Sequence, residues 1–230
     1  MVNLARDIWK APRGTFRFKR PDELAAETIA YLMEQVPALE KSRIDDVIVG
    51  NAMPEAEQGL NMARLISLMG LGIDDVPGVT VNRYCASGLE TIAMASAKIQ
   101  AGMADVILAG GVEHMSGVPY SVPHARWGCR LQDQEFVDNL IRGLHCGSHV
   151  LPHPEEGPVD AEQPPLSYFR GKPYIMGHTA EFIAQHLGIT REESDEVALR
   201  SQNSAERATK DGSFKDEIIA MSIPRKRKDH

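Results

Sequence analysis

From Leu24 to Val36, apolar residues fall every three or four positions (Leu24, Ala25, Ile29, Leu32, Met33, Val36), the spacing of one helix face. Pro21-Asp22-Glu23 opens this helix, because proline is tolerated at the first helical position and acidic side chains there meet the positive end of the helix dipole. Pro37 ends it. Asp46-Val47-Ile48-Val49-Gly50 lacks such a period; its continuous short apolar run predicts a strand buried on both faces. Asn61 is placed to cap a second helix, Met62 to Met69, with Gly70 as its stop. Val79-Thr80-Val81 predicts a second strand. Ser87-Gly88-Leu89-Glu90 has the capping-box pattern and starts a helix that runs through Ile99 to near Gly102. Asp105 to Ala109 predicts a third strand, closed by Gly110-Gly111.

Helices thus alternate with strands that are apolar throughout, which predicts a layered α/β domain with a mostly parallel sheet. The pattern stops near Pro119. Residues 120–175 are rich in Pro, Gly, His and acidic side chains, with one helix predicted around Gln134 to Arg142 and no period from Gly147 to Pro173. Helical spacing returns from Thr179 to Leu187, with Gly188 as its C-cap. Thr190-Arg191-Glu192-Glu193 is a second capping-box pattern and opens a long helix to about Lys210, stopped by Gly212. Glu217 to Ile223 is read as a strand, and the basic end Arg225 to Lys228 as a solvated terminus.

Composition narrows the class of protein. With 230 residues, 43% of them hydrophobic and 25% charged, the chain has the means to bury a core. A formal charge of −7 argues against a general nucleic-acid binder. No apolar run reaches the roughly 18 residues that span a bilayer, and residues 1–20 carry basic side chains without the apolar stretch of a secretory signal. Three cysteines do not make a disulfide framework, and a reducing, cytoplasmic setting fits them best.

Cys85 carries the most chemistry. It follows the strand at Val79–Val81 by four residues and precedes Ser87 by two, which places it in the turn between a strand and a helix N-terminus. Backbone N–H groups and the dipole stabilise an anion at such a place, so a thiol there is disposed to react as thiolate. Spacing alone leaves a second reading open, a small cysteine packed in the core.

The residues around it resemble a known family. Val81-Asn82-Arg83-Tyr84-Cys85-Ala86-Ser87-Gly88-Leu89-Glu90 is similar to the nucleophile motif of thiolases. Ala104-Asp105-Val106 through Gly110-Gly111-Val112-Glu113-His114-Met115-Ser116 resembles that family's next strand and its Gly-Gly-x-Glu-x-Met-Ser turn. Upstream, Val49-Gly50-Asn51 and Gln58-Gly59-Leu60-Asn61-Met62-Ala63-Arg64 are similar to further family segments. Downstream, Ala125-Arg126-Trp127-Gly128, Met176-Gly177-His178-Thr179-Ala180-Glu181 and Gly212 to Ile218 follow in the family's order.

The resemblance implies an acyltransferase of coenzyme A thioesters and a place in fatty acid metabolism. Cys85 is the implied nucleophile: it takes the acyl group from a 3-ketoacyl-CoA, releasing acetyl-CoA, and a second coenzyme A removes it. Coenzyme A enters as a substrate, no cofactor is called for, and the intact protein is expected to self-associate as a dimer or tetramer. The implied fold is a layered α/β half at residues 1–118, followed by a loop domain at 119–230 that carries an insertion at 143–174. Met176 and Gly177 match the stretch that lines the pantetheine and thioester end of the substrate; His178, next to them, is a candidate substrate contact or else a capping or solvent-facing residue. Where many members have His before this Met, Ile175 stands here.

The sequence has no Gly-His-Pro, no Asn-Glu-Ala-Phe and no late Cys-x-Gly, the segments that supply the family's general base, oxyanion contact and second acid/base. These residues by themselves are therefore expected to turn over little or not at all. Two alternatives stand beside the thiolase. One is a non-catalytic acyl-CoA-binding or assembly subunit that needs a partner half. The other, more distant, is a ketoacyl synthase, which also carries a cysteine at a strand–helix turn. His145, Cys146, His149 and His153 are near enough in sequence to suggest zinc, but a polar loop with incidental histidines is the simpler reading, so no metal is expected. His114 is read as structural and Cys129 as a packed or idle thiol.

Overall fold

The apolar run Asp46–Gly50 forms β1, buried at all five positions; the computed structural model describes residues 16–146 and 176–222. β1 is the middle strand of a three-stranded parallel sheet, with β2 (Gly78–Val81) on one side and β3 (Ile107–Gly111) on the other. Ile48 stands opposite Val79 in β2 and Ala109 in β3. The order explains the missing alternation, because a central parallel strand is covered on both faces.

Helix α1 (Pro21–Gln35) packs on α2 (Met62–Leu71), and α2 lies against β1 and β2. Leu24 and Met33 of α1, Met62, Ala63, Ile66 and Leu71 of α2, and Val47 and Val49 of β1 form one apolar cluster. Helix α3 (Ser87–Gln100) packs along β1 and β3. The expected α1 stripe is only partly buried, since Leu32 and Val36 are exposed.

Four boundaries differ from the sequence expectation, each for a local reason. Helix α2 passes through Gly70 and ends at Gly72, whose φ of 70° makes the left-handed cap. Gly70 serves packing instead: a Cβ there would sit 2.9 Å from Ile29 Cβ, so the missing side chain lets α1 and α2 approach. Asn61 does not cap α2 with its side chain; its Nδ2 donates to Gly78 O at 2.8 Å and its Oδ1 accepts from Thr80. Strand β3 starts two residues late, because the Asp45 carboxylate accepts the N–H groups of Asp105 (2.7 Å) and Val106 (2.9 Å) and so holds the chain ahead of the ladder. Those two bonds lower the Asp45 carboxyl below its ordinary value, Val106 contributing most. Gly110 and Gly111 belong to the strand and pair with Val49 and Gly50.

The chain divides into two compact units, one reaching to Val118 and resuming at Asp216, the other Pro119–Lys215. The second unit was expected to run to the C-terminus; the described residues from Asp216 group with the first, and Met221 packs against its core. Within the second unit, β4 (Tyr120–Ser121) pairs antiparallel with β5 (Val137–Asp138). The helix expected from Gln134 starts later, as α4 (Asn139–Cys146), where Asp138 Oδ1 accepts the N–H of Leu140. Helix α5 (Met176–Leu187) is followed by Gly188 at φ 66°. Helix α6 (Arg191–Lys210) carries the predicted capping box, with Thr190 and Glu193 bonding reciprocally. The strand expected at Glu217–Ile223 does not form among the described residues, where Lys215–Glu217 is a 3-10 turn. The aperiodic stretch Gly147 to Pro173 and the basic end lie outside the described residues. No described helix is long and apolar enough to cross a membrane.

Candidate active site

The carboxyl ends of β1 and β3 meet the N-terminus of α3 at very close range. A Cβ on Gly50 would stand 2.6 Å from the carbonyl carbon of Ser87 and 2.8 Å from Gly88 N, and one on Gly111 would stand 3.1 Å from Gly50 O. Glycine is required at Gly50 because backbone, which cannot swing aside, occupies the space. Thr91, fully buried one turn into α3, donates to Gly88 O at 2.8 Å and also reaches Gly110 O. Ligands of open parallel sheets bind at this carboxyl end.

The turn from β2 to α3 spans Asn82 to Ala86 and presents Cys85, which is exposed. Tyr84, just before it, has φ 48°. A bulky residue in that left-handed region costs about 1–2 kcal/mol, so its surroundings must hold it there. Asn82 Oδ1 accepts the N–H of Tyr84 at 2.8 Å. Ser87 Oγ accepts the N–H of Arg83 at 2.9 Å and donates to Tyr84 O at 2.5 Å. Ser87 N–H also donates to Tyr84 O, at 3.0 Å. The expected capping box at Ser87 is therefore absent: the serine is the first helical residue and its hydroxyl closes the turn behind it, while Glu90 pairs with Arg83 at 2.7 Å.

A second network lies beside the turn. Glu113, just past β3, accepts the N–H groups of Ala52 (2.7 Å) and Met53 (3.2 Å) and the Nδ2 of Asn51 (3.0 Å). Burial pushes the Glu113 carboxyl above its ordinary value, against the pull of those two N–H groups and of the Asn51 and Gln58 amides. Gln58 Oε1 accepts the N–H of His114 at 2.5 Å. Asn82 Nδ2 donates to Ala52 O at 3.2 Å and so joins this network to the Cys85 turn. His114 is buried, with its Nε2 3.1 Å from Phe16 O. Asn82 and Glu113 stand inside two of the family-like motifs without an assigned role; their residue types are the available signal, an Asn two before a left-handed residue and an acid after a strand.

The other residues singled out from the sequence lie in the second unit. Met176, Gly177 and His178 share the first turn of α5, with Met176 and Gly177 exposed. They are grouped with one another, and Cys85 stands in the first unit. Cys129 is exposed. Of the stretch considered for zinc, residues 147–153 lie outside the described residues; among the described residues no group of three metal-ligating side chains occurs.

Comparison with known proteins identifies the family of the chain. The family model described as "Thiolase, N-terminal domain" matches residues 2–152 and 167–230, and its gap falls within the stretch read as an insertion. The chain is 39% identical over 217 residues to a 3-ketoacyl-CoA thiolase of Bacillus subtilis, covering 94% of this chain and 46% of that protein. It is 36% identical over 214 residues to a probable acetyl-CoA acyltransferase of Staphylococcus aureus, covering 93% and 48%. The crystal structure of the Bacillus anthracis acetyl-CoA acetyltransferase superposes with a TM-score of 0.74 at 34% identity, over 94% of this chain and 48% of that one. The chain thus spans about half the length of these relatives, and the fold is the thiolase-like α/β fold. With its family match extending along nearly the whole sequence and its cysteine turn at the carboxyl end of the parallel sheet, the chain belongs to the thiolase family.

Proposed function

We propose that the chain is the nucleophile-bearing part of an acyl-CoA acyltransferase, with Cys85 as the residue that carries the acyl group. The observation that supports this most is the exposed thiol in a braced, left-handed turn immediately before a helix N-terminus. On this reading the Cys85 thiol gives up its proton and its sulfur attacks the 3-keto carbonyl of a 3-ketoacyl-CoA. The carbon–carbon bond to the acetyl-CoA portion breaks, and that portion leaves as an enolate and takes up a proton to become acetyl-CoA. The thiol of a second coenzyme A then takes the acyl group and returns the Cys85 thiolate. The Cys85 backbone N–H is a natural donor to the carbonyl oxygen as it gains charge. Met176, Gly177 and His178 are assigned to the pantetheine end of coenzyme A, which acts as a substrate; the reading calls for no cofactor.

The layered half and the loop domain belong to the same reading, as do assembly into dimers or tetramers, a cytoplasmic setting and a role in fatty acid metabolism. A general base contributes about 10²–10⁴-fold. The sequence contains no Gly-His-Pro segment, so the 230 residues alone should acylate at Cys85 but complete few cycles. Incubating the pure chain with acetyl-CoA and mapping adducts by peptide mass spectrometry tests the carrier role. An acetyl group on the Cys85 peptide, absent in Cys85→Ser, supports it. Tight coenzyme A binding without any acyl-Cys85 favours the acyl-CoA-binding subunit instead. Acylation from acyl carrier protein thioesters in preference to coenzyme A thioesters would point to a ketoacyl synthase.

A further inference from the structure

We infer that Asn82 and Glu113 are positioning residues for Cys85, acting through a hydrogen-bond relay that fixes the turn; the inference rests on the reading of Cys85 as the acyl carrier. Tyr84 sits at φ 48° with an exposed side chain, so packing of its ring does not hold the backbone there. Hydrogen bonds have to do so, and they come from two directions. Ser87 braces the turn from the helix side through Arg83 N–H and Tyr84 O. Asn82 braces it from the strand side: its Oδ1 accepts the Tyr84 N–H, an Asx turn that tolerates the left-handed residue.

An asparagine free to rotate would hold Tyr84 only part of the time. Its other end is tied, because Asn82 Nδ2 donates to Ala52 O. Ala52 is fixed in turn, since its own N–H is held by Glu113 Oε2 at 2.7 Å and the next N–H, of Met53, by Oε1. Glu113 follows β3, whose end is locked against β1 through Gly111. The relay thus runs from the rigid end of the sheet through Glu113, the Ala52 peptide and Asn82 to the residue that aims the thiol. Neither side chain acts on an acyl group in this account; both set where the sulfur stands.

The relay is tested by the second-order rate of iodoacetamide alkylation at the Cys85 peptide of the full chain, with Cys129 as the internal reference. Wild-type Cys85 is expected to react faster than Cys129. Asn82→Ala should slow Cys85 by about fivefold, the factor that one hydrogen bond corresponds to, and leave Cys129 near its wild-type value. Asn82→Asp keeps the acceptor for Tyr84 N–H but loses the donor to Ala52 O, so it should recover only part of the rate; full recovery would mean that the link to Ala52 carries nothing and would refute the relay. Glu113→Gln, one link back, should slow Cys85 in the same direction, and it carries the test if Asn82→Ala does not fold. If wild-type Cys85 outruns Cys129 while Asn82→Ala and Glu113→Gln leave it unchanged, the relay is refuted and the carrier role stands. If wild-type Cys85 is no faster than Cys129, the carrier role fails and takes the relay with it.

Discussion

Glu113 sits between two opposed demands. Its carboxylate accepts two backbone N–H groups and the Asn51 amide, yet burial outweighs them and raises its proton affinity. An acid whose folded value lies above its unfolded one contributes stability that is fully present below the unfolded value, about 4.5, and is lost as pH rises through the folded value. Chemical denaturation of wild type and Glu113→Gln across pH 4–8 reads this: the stability of wild type relative to the variant should fall as pH rises from about 4.5. A difference that is flat or rises would contradict the burial of that carboxyl. Asp45 has the opposite sign. Its lowered value means that stability is present at neutral pH and lost as pH falls through the folded value. At this scale Cys85 was legible, because a strand, a short turn and a helix start can be counted along the sequence. Asn82 and Glu113 were not, because they bond to backbone 30 and 61 residues away, which leaves no period.

Two glycines inside helices make opposite expectations. Alanine favours a helix by about 1 kcal/mol over glycine. At Gly70 that gain meets a Cβ–Cβ approach of 2.9 Å to Ile29, which a β-carbon cannot relieve by rotating. Overpacking costs about 1–3 kcal/mol, so Gly70→Ala should destabilise the first unit. At Gly143, in α4, an added Cβ meets nothing within 4 Å. Gly143→Ala should therefore stabilise by roughly 0.4–1 kcal/mol. Urea denaturation of the two variants checks the pair; a stabilised Gly70→Ala would refute the close α1–α2 packing. For the core, Ile66→Ala should cost about 2–5 kcal/mol, against about 0.5 or less for the exposed Leu199→Ala. The three parallel strands and most helices could be read from apolar runs and helical spacing. What the sequence hid were competing side-chain bonds: Asp45 delaying β3, Asn61 bonding β2 instead of capping α2, and Ser87 bonding back into its own turn. The second unit's β4 and β5 are two residues each, too short to show alternation.

As a whole molecule, the first unit leaves α3 half covered. The helix buries Ser87, Thr91 and Ala95, while Leu89, Ile92 and Ile99 are exposed and fall within about 80° of one another at 100° per residue. Relatives twice as long match this chain over about half their length, and an exposed apolar face of this kind is a place for association. The 230 residues alone should then self-associate through it. Ile92→Gln with Ile99→Gln should lower light scattering at a given concentration, and unchanged scattering would mean that another surface is responsible. This scale was legible through the family motifs and through the catalytic segments they lack, more than through any local pattern. The central claim is that Cys85 accepts an acyl group from a coenzyme A thioester. Peptide mass spectrometry after incubation with acetyl-CoA tests it most directly: the account predicts an acetyl group on Cys85 and none on Cys129, and an unmodified Cys85, or equal labelling of both, would contradict it.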